Sequence, residues 1–454
     1  MKLLSYFRGE AFQRGVHPPA NKLTANTKIR RLPFPPRVIV PLSQHIGKVP
    51  HPIVKLGQEV VRGEPIARTD DWLSVPHHAP LTGVVEFIGL RPGVRGSWVE
   101  SIVIRAHPGA TQEDLWGMPR DLAGASSSDI LQMIWDTGMV GLGGAAFPTH
   151  AKLTVPKQAK VHTLVVNGCE CEPYLTCDHR VMIEQADDLV MGIRYAMRAT
   201  GAVRAIVGIE DNKRDARDAV EAAIKRAGNV PEGEIYAEVV PTKYPQGSEK
   251  MLLMALFGVE IPAGQLPVSL GMVVNNVGTL AALGKLLPAG RGLTERVVTI
   301  TGPGVSKPGD YIVPLGTPLR FVLDYAGAPD VDAKQIILGG PMMGQAAASL
   351  DVPITKGMSG VLVMRADEMA AQADRKTYPC IKCAECVESC PMGLNPSTLG
   401  MLAAKREYDL MGTDYHLGEC FECGCCSYVC PSNIPLVQQF RVAKQILREK
   451  AIAK

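Results

Sequence analysis

The chain has 454 residues, enough for about three domains of ordinary size. Hydrophobic residues make up 46% and charged residues 20%, a globular balance, and a net charge of +3 with 5% aromatics argues against nucleic acid as a partner. No run of about 18 apolar residues occurs, so no transmembrane helix is expected. The most apolar stretch, Met251 to Leu287, is broken by Glu260, Pro262, Gln265, Pro267, Asn275, Asn276 and Lys285.

The chain opens MKLLSYFRGE, where Arg8 and Glu10 cut the apolar stretch too short for a signal peptide. A cytoplasmic protein is expected, and docking on a membrane protein would leave no mark of this kind. His17, in Gly15-Val16-His17-Pro18-Pro19, reads as a turn residue without chemistry. Within residues 1–120, Val54 to Ile66 and His78 to Val85 are similar to the hairpins of biotinyl/lipoyl-type β-sandwich modules. A carrier would need a lysine at the hairpin tip. None occurs from Leu56 to Ala151, which excludes covalent biotin or lipoate and leaves a structural or docking module.

Residues 121–290 read as α/β. Ser126 to Gly138 is a helix, with serines for an N-cap, an apolar face of Ile130, Met133 and Ile134, and Gly138 to end it. A glycine loop follows, Gly141 to Thr149; such a loop lets backbone N–H groups approach a phosphate. Then come a strand at Val161–Val166, a helix at Arg180–Ala199, a strand at Val203–Ile209, a helix at Asp215–Ala227 and a strand at Ile235–Val240. This βαβαβ order predicts a mainly parallel sheet with its ligand beyond the carboxyl ends of the strands. Asn167-Gly168-Cys169-Glu170-Cys171-Glu172-Pro173 falls there.

Gly141-Leu142-Gly143-Gly144-Ala145-Ala146-Phe147-Pro148-Thr149, then Lys152, resembles the flavin loop of the NADH-binding subunit of respiratory complex I. Asn167 to Glu172 is similar to that family's Asn-x-x-Glu-x-Glu segment, with Asp178 and Arg180 at its Asp-Arg pair. Tyr244-Pro245-Gln246-Gly247-Ser248-Glu249 resembles its Tyr-x-x-Gly-Glu-Glu loop. Asn275-Asn276-Val277-Gly278-Thr279 resembles its Asn-Asn-Val-Glu-Thr segment. The resemblance implies non-covalent FMN on this sheet and NADH, as substrate, stacked beside it. The cofactor-binding residues it implies are Gly141, Gly143, Gly144, Phe147, Lys152, Asn167, Glu170, Glu172, Asp178, Tyr244, Gly247, Glu249, Asn275, Asn276 and Thr279. No catalytic side chain is implied; Glu170, Glu172 and Glu249 would bind flavin or nicotinamide hydroxyls. The family's first-loop arginine is Leu142 here, and the first Glu of its Gly-Glu-Glu loop is Ser248. Cys169, Cys171 and Cys177 read as small buried thiols lining a pocket.

Residues 291–350 resemble the soluble-ligand-binding β-grasp module. Its strands are expected at Arg296–Gly302 and Gln335–Leu338, and a short helix at Thr317–Tyr325. Met342 and Met343, in its Gly339–Gly344 loop, are expected to pack.

Nine of the twelve cysteines lie between Cys380 and Cys430, within residues 365–454. The two runs read Cys380-x2-Cys383-x2-Cys386-x3-Cys390-Pro391 and Cys420-x2-Cys423-x2-Cys426-x3-Cys430-Pro431. Each is the bacterial ferredoxin run, in which the fourth cysteine serves the other cluster. Two [4Fe–4S] clusters follow, one on Cys380, Cys383, Cys386 and Cys430, the other on Cys390, Cys420, Cys423 and Cys426. Zinc prefers two separated pairs, and a disulfide framework suits smaller secreted chains. Cys425 is left as a bystander thiol. Pro396 to Lys405 reads as a helix in an α-helical ferredoxin domain. Pro435 to Lys454 reads as an amphipathic helix whose Arg441, Lys444, Arg448, Lys450 and Lys454 form a solvated face.

Hairpin sandwich, flavin domain, β-grasp and two-cluster ferredoxin, in this order, resemble the RnfC family, a peripheral part of the Rnf (Rsx) ion-translocating electron-transport complexes. The resemblance implies electron exchange between NADH and ferredoxin, or flavodoxin indirectly, coupled to Na⁺ or H⁺ movement. Its implied partners are the integral membrane subunits and an Fe–S subunit, and its implied place is peripheral, on the cytoplasmic face of the inner membrane. The alternatives are a cobalamin reductase of similar architecture and a flavin-less electron relay.

Overall fold

The computed structural model describes residues 12–94, 96–228, 231–373 and 375–452. The MKLLSYFRGE opening and Lys454 lie outside the described residues. Among those described, no helix is long and apolar enough to cross a membrane.

The first described residues form an extended strap. Gly15 N–H donates to the Ser389 carbonyl at 3.1 Å, and Val16 and Tyr244 exchange backbone hydrogen bonds of 2.9 and 3.0 Å. A β-sandwich follows. One of its sheets runs in the order Arg37–Pro41, Trp98–Ala106, Gly83–Pro92, Glu59–Val60; the other holds His51–Pro52, Pro65–Arg68 and His77–His78. Alternating residues point inward, so Val38, Val40, Ile102 and Ile104 meet Ile66 and Leu81 in one core.

The helix Ser127–Asp136 begins with a capping box in which Ser126 and Asp129 satisfy each other's backbone N–H groups. It leads into a four-stranded parallel sheet ordered Glu234–Val240, Arg204–Glu210, Thr163–Gly168, Met272–Asn276. Strand order reverses beside Thr163–Gly168, which has neighbours on both sides. A crevice therefore opens between its carboxyl end and that of Met272–Asn276. Asn167 and Asn276 are register partners there.

The helix expected at Arg180–Ala199 is two helices, Cys177–Glu184 and Ala186–Thr200, broken at Gln185. No glycine or proline marks the break. The first piece abuts strand Glu295–Thr301, while the second packs on helix Val277–Ala289. That second contact is backbone against backbone: a Cβ on Gly192 would lie 1.8 Å from the Leu280 carbonyl.

The β-grasp module is a six-stranded sheet with helix Leu319–Ala326 on it. Two of its strands come from outside residues 291–350. Gly360–Val363 is buried throughout and pairs with both Glu295–Thr301 and Ile336–Leu338. Arg30–Arg31 adds an edge strand along Tyr311–Ile312. The cysteine-rich domain is helical: Glu385–Glu388, Pro396–Ala404, Tyr408–Thr413, Cys425–Tyr428 and Leu436–Ile452 surround Leu399, Met411, Leu417 and Phe440.

Candidate functional site

The glycine loop lies along the crevice. Its ends are fixed: Gly141 N–H donates to the Phe147 carbonyl at 2.9 Å, and Leu142 N–H to Thr279 Oγ1 at 2.9 Å. Buried Arg296 holds the Leu142 carbonyl at 3.0 Å. Between these ties Gly143, Gly144 and Ala145 are exposed. Gly144 sits at φ +116° with open space where a Cβ would be, and a Cβ on Gly143 would touch Asn276 at 3.3 Å. Glycine is needed at 144 because that conformation strains any other residue.

Asn276 caps helix Val277–Ala289 by accepting from Thr279 N–H at 3.1 Å and donates to Asp178 at 2.6 Å. Burial, with the Glu170 charge nearby, pushes the Asp178 carboxyl up to about 7. Asn275 is buried, and its Nδ2 has no partner among the described residues. Asn167 ties the crevice to the next loop, donating to the Gly247 carbonyl at 2.7 Å and accepting from Cys169 N–H at 3.1 Å. Lys152 and Glu249 form an ion pair, and Phe147 is partly exposed.

A loop of exposed N–H groups on a helix N-terminal crevice, with an unmatched buried amide donor beside it, suits a phosphorylated ring ligand such as FMN. These residues fit the group.

Glu170 and Glu172 are engaged within the protein, where the resemblance implied ligand hydroxyls. Glu170 accepts from Asp178 N–H at 3.0 Å and His179 N–H at 3.2 Å, holding the start of helix Cys177–Glu184. Glu172 accepts from Met342 N–H at 3.0 Å and Met343 N–H at 2.8 Å, so it docks the β-grasp loop. Lys22 secures the same segment, donating to the carbonyls of Glu170, Glu172 and Leu175 at 2.7, 2.8 and 2.6 Å. No local pattern around Lys22 signals this; its partners are some 150 residues away. Cys169 and Cys177 are buried, and burial pushes their thiols well up. Cys171 accepts from Gly247 N–H at 3.2 Å.

Both cysteine runs take one backbone shape. Lys382 and Ala384 have φ of 60° and 65°, and Glu422 and Gly424, at the same offsets in the second run, have 62° and 85°. Left-handed residues at Lys382, Ala384 and Glu422 are strained, and such turns aim successive N–H groups inward at an anion. Cys386 lies within electrostatic reach of Cys430, Cys383 and Cys380. Cys390, Cys420, Cys423 and Cys426 line one small cavity, with Leu399 and Phe440 behind them. Each run's fourth cysteine thus lies beside the other run, and two sets of four thiols are the donor set that two cubanes take. Cys380 and Cys383 are exposed, while Cys390 and Cys426 are buried. Cys425 is buried against Val16 and Tyr244.

The final helix departs from its expected solvated basic face. Lys444 donates to the Cys420 carbonyl and pairs with Glu422 at 3.2 Å; Arg441 reaches Glu422 and the Met343 carbonyl, each at 3.2 Å. Among the described residues of that face, Arg448 and Lys450 are exposed. Tyr244, too, is engaged within the protein. Its hydroxyl donates to the Cys423 carbonyl at 2.6 Å.

Family models match each part: an RnfC barrel sandwich hybrid domain over residues 10–108, a Nuo51 FMN-binding domain over 134–285, an SLBB domain over 297–346 and a 4Fe-4S dicluster domain over 379–434. A subunit of the proton-translocating ferredoxin:NAD(+) oxidoreductase complex of Clostridium ljungdahlii is 40% identical over 90% of this chain and 88% of its own length. The chain belongs to the RnfC family. A second member, from the Na(+)-translocating ferredoxin:NAD(+) oxidoreductase complex of Acetobacterium woodii, is 38% identical over 88% of each chain. Among solved structures, an NAD+-reducing [NiFe]-hydrogenase matches with a TM-score of 0.50 and 22% identity, covering 63% of this chain and 54% of that one. That match shows shared fold. The RnfC barrel sandwich match lies ahead of the FMN-binding, SLBB and dicluster matches along this chain.

Proposed function

We propose that the chain passes electrons between NADH and two [4Fe–4S] clusters through bound FMN, within an ion-translocating NADH:ferredoxin oxidoreductase. It would sit on the cytoplasmic face of the membrane, docked on integral membrane subunits and an Fe–S subunit. FMN would supply the exchange between two-electron hydride and one-electron carriers. The chain's own residues have simpler tasks. The loop of Gly141, Gly143 and Gly144 would hold the phosphate, Asn275 and Asn276 the polar edges of the ligand, and Lys152 with Glu249 the rim where a nicotinamide nucleotide approaches. The eight cysteines would hold the clusters, with Cys390 and Cys430 exchanged between runs.

One observation carries this reading. The loop Tyr244–Gly247 touches the crevice through Asn167 and the cysteine cavity through Cys423. The crevice and the cavity therefore share a wall, as electron transfer between them requires.

A flavin and iron count on the purified protein tests it. One FMN and roughly eight irons per chain are expected, with bleaching of the visible spectrum on adding NADH. Protein that neither contains nor takes up FMN would end this reading in favour of a flavin-less relay. Turnover of a corrinoid in place of an artificial acceptor would favour a cobalamin reductase.

A further inference from the structure

Tyr244 is 2% exposed and lies at the meeting point of three segments. Its backbone is paired with Val16 of the strap, its ring packs with Cys171, Met342 and Cys425, and its hydroxyl donates to the Cys423 carbonyl. Glu172 is the other acceptor beside that hydroxyl. The Met342 and Met343 N–H groups take one site on each of its oxygens, and among the described residues the hydrogen bond the hydroxyl makes is the one to Cys423. The approach is close on this side: a Cβ on Gly424 would come within 2.7 Å of the Met342 carbonyl. From the crevice, the connection runs Asn167 to Gly247, along the chain to Tyr244, then across to Cys423.

We propose that Tyr244 is a positioning residue for the cluster held by Cys390, Cys420, Cys423 and Cys426. Its hydroxyl fixes the Cys423 ligand loop against the crevice-side loop and raises that cluster's reduction potential. The physical basis is the placement of an O–H dipole. By donating to the Cys423 carbonyl it draws electron density from the peptide group of a ligand residue, and hydrogen bonds and burial around the ligands set such potentials. The inference rests on the two-cluster reading. It assigns to the cluster a residue that the flavin-site resemblance places at the cofactor.

The test is a redox titration of the full chain, followed by electron paramagnetic resonance. Tyr244→Phe keeps the ring and removes the donor. At fixed ambient potential, the reduced-to-oxidised ratio of this cluster is expected to fall about tenfold, 59 mV for a one-electron couple. The other cluster should titrate as in the parent. Replacing Tyr244 with 3-fluorotyrosine, a stronger acid of the same shape, should move the ratio the opposite way. It decides the matter if Tyr244→Phe loses its cluster. Val16→Ala loosens the same contact without touching the donor. An unchanged potential in Tyr244→Phe, no opposite shift with fluorotyrosine, or an equal fall in Val16→Ala would each overturn the proposal. The titration needs no flavin. A parent protein without FMN or iron would be a failure of the functional reading, whereas a loaded parent with no Tyr244 effect would be a failure of this one.

Discussion

Lys356 Nζ lies 2.7 Å from the carbonyl oxygen of Gly138, so a fully buried amine of the β-grasp module donates to the residue that leads into the glycine loop. It also donates to the Pro76 carbonyl at 3.1 Å. His45, His77 and His78 of the sandwich surround it, and Arg296 donates to its own carbonyl. Burial pushes the amine down to about 7 from its usual 10.5. Between those values the unfolded chain carries a proton that the folded chain lacks. Stability is therefore lost as pH falls from about 10.5 to about 7, by on the order of 5 kcal/mol, and this loss is constant below that. Burial likewise lowers His45 to about 4 and His78 to about 3, so the histidines act at lower pH. Lys356→Met is expected to flatten the stability profile between pH 7 and 10 and to leave the acid limb in place. Urea denaturation across that range reads it; a parent-like slope in the variant would refute the assignment.

Lys22 holds three carbonyls of the segment that borders the crevice. Hydrogen bonds to a charged group contribute about 1.5–3 kcal/mol each, less the cost of burying the ammonium. Burial lowers the Lys22 pKa, and Glu170 offsets part of that. Lys22→Met should destabilise the chain by about 2–3 kcal/mol. FMN affinity should weaken at least about tenfold, equal to roughly 1.4 kcal/mol. Flavin fluorescence titration measures the second effect, and unchanged affinity would show that this segment does not shape the site.

A Cβ on Gly143 would press on the Asn276 side chain at 3.3 Å, and a larger side chain would fill the crevice beside it. Gly143→Trp should abolish flavin loading and leave the iron count at the parent value. Simultaneous loss of flavin and iron would contradict two separable sites.

The exchanged ligands have their own signature. Cys390→Ser and Cys420→Ser should perturb the same electron paramagnetic resonance signal, and Cys430→Ser should perturb the one changed by Cys383→Ser. If Cys390→Ser instead shared its effect with Cys383→Ser, each run would hold its own cluster.

How much of this was legible depended on how local the signal was. Cysteine spacing, the Ser126 cap and the alternation of strands and helices are short-range patterns, and the structure has these elements within a few residues of their expected bounds. Gly360–Val363 was not read because four buried residues give too short a pattern to separate from a loop. The break at Gln185 has no breaker residue, since tertiary packing imposes it. Lys22, Arg296, Lys444 and the Tyr244 hydroxyl act across long separations on backbone carbonyls, which leave no side-chain complement in the sequence to recognise.

The strap has a consequence for biosynthesis. Arg14 hydrogen-bonds the Val387 carbonyl, 373 positions further along, and Gly15 hydrogen-bonds Ser389. The strap is translated 373 positions ahead of this anchor. The strap can pair with Tyr244 once the flavin domain is made, and the first cysteine run supplies its remaining anchor. The strap therefore closes in two stages, against the flavin domain at Tyr244 and then against the first cysteine run.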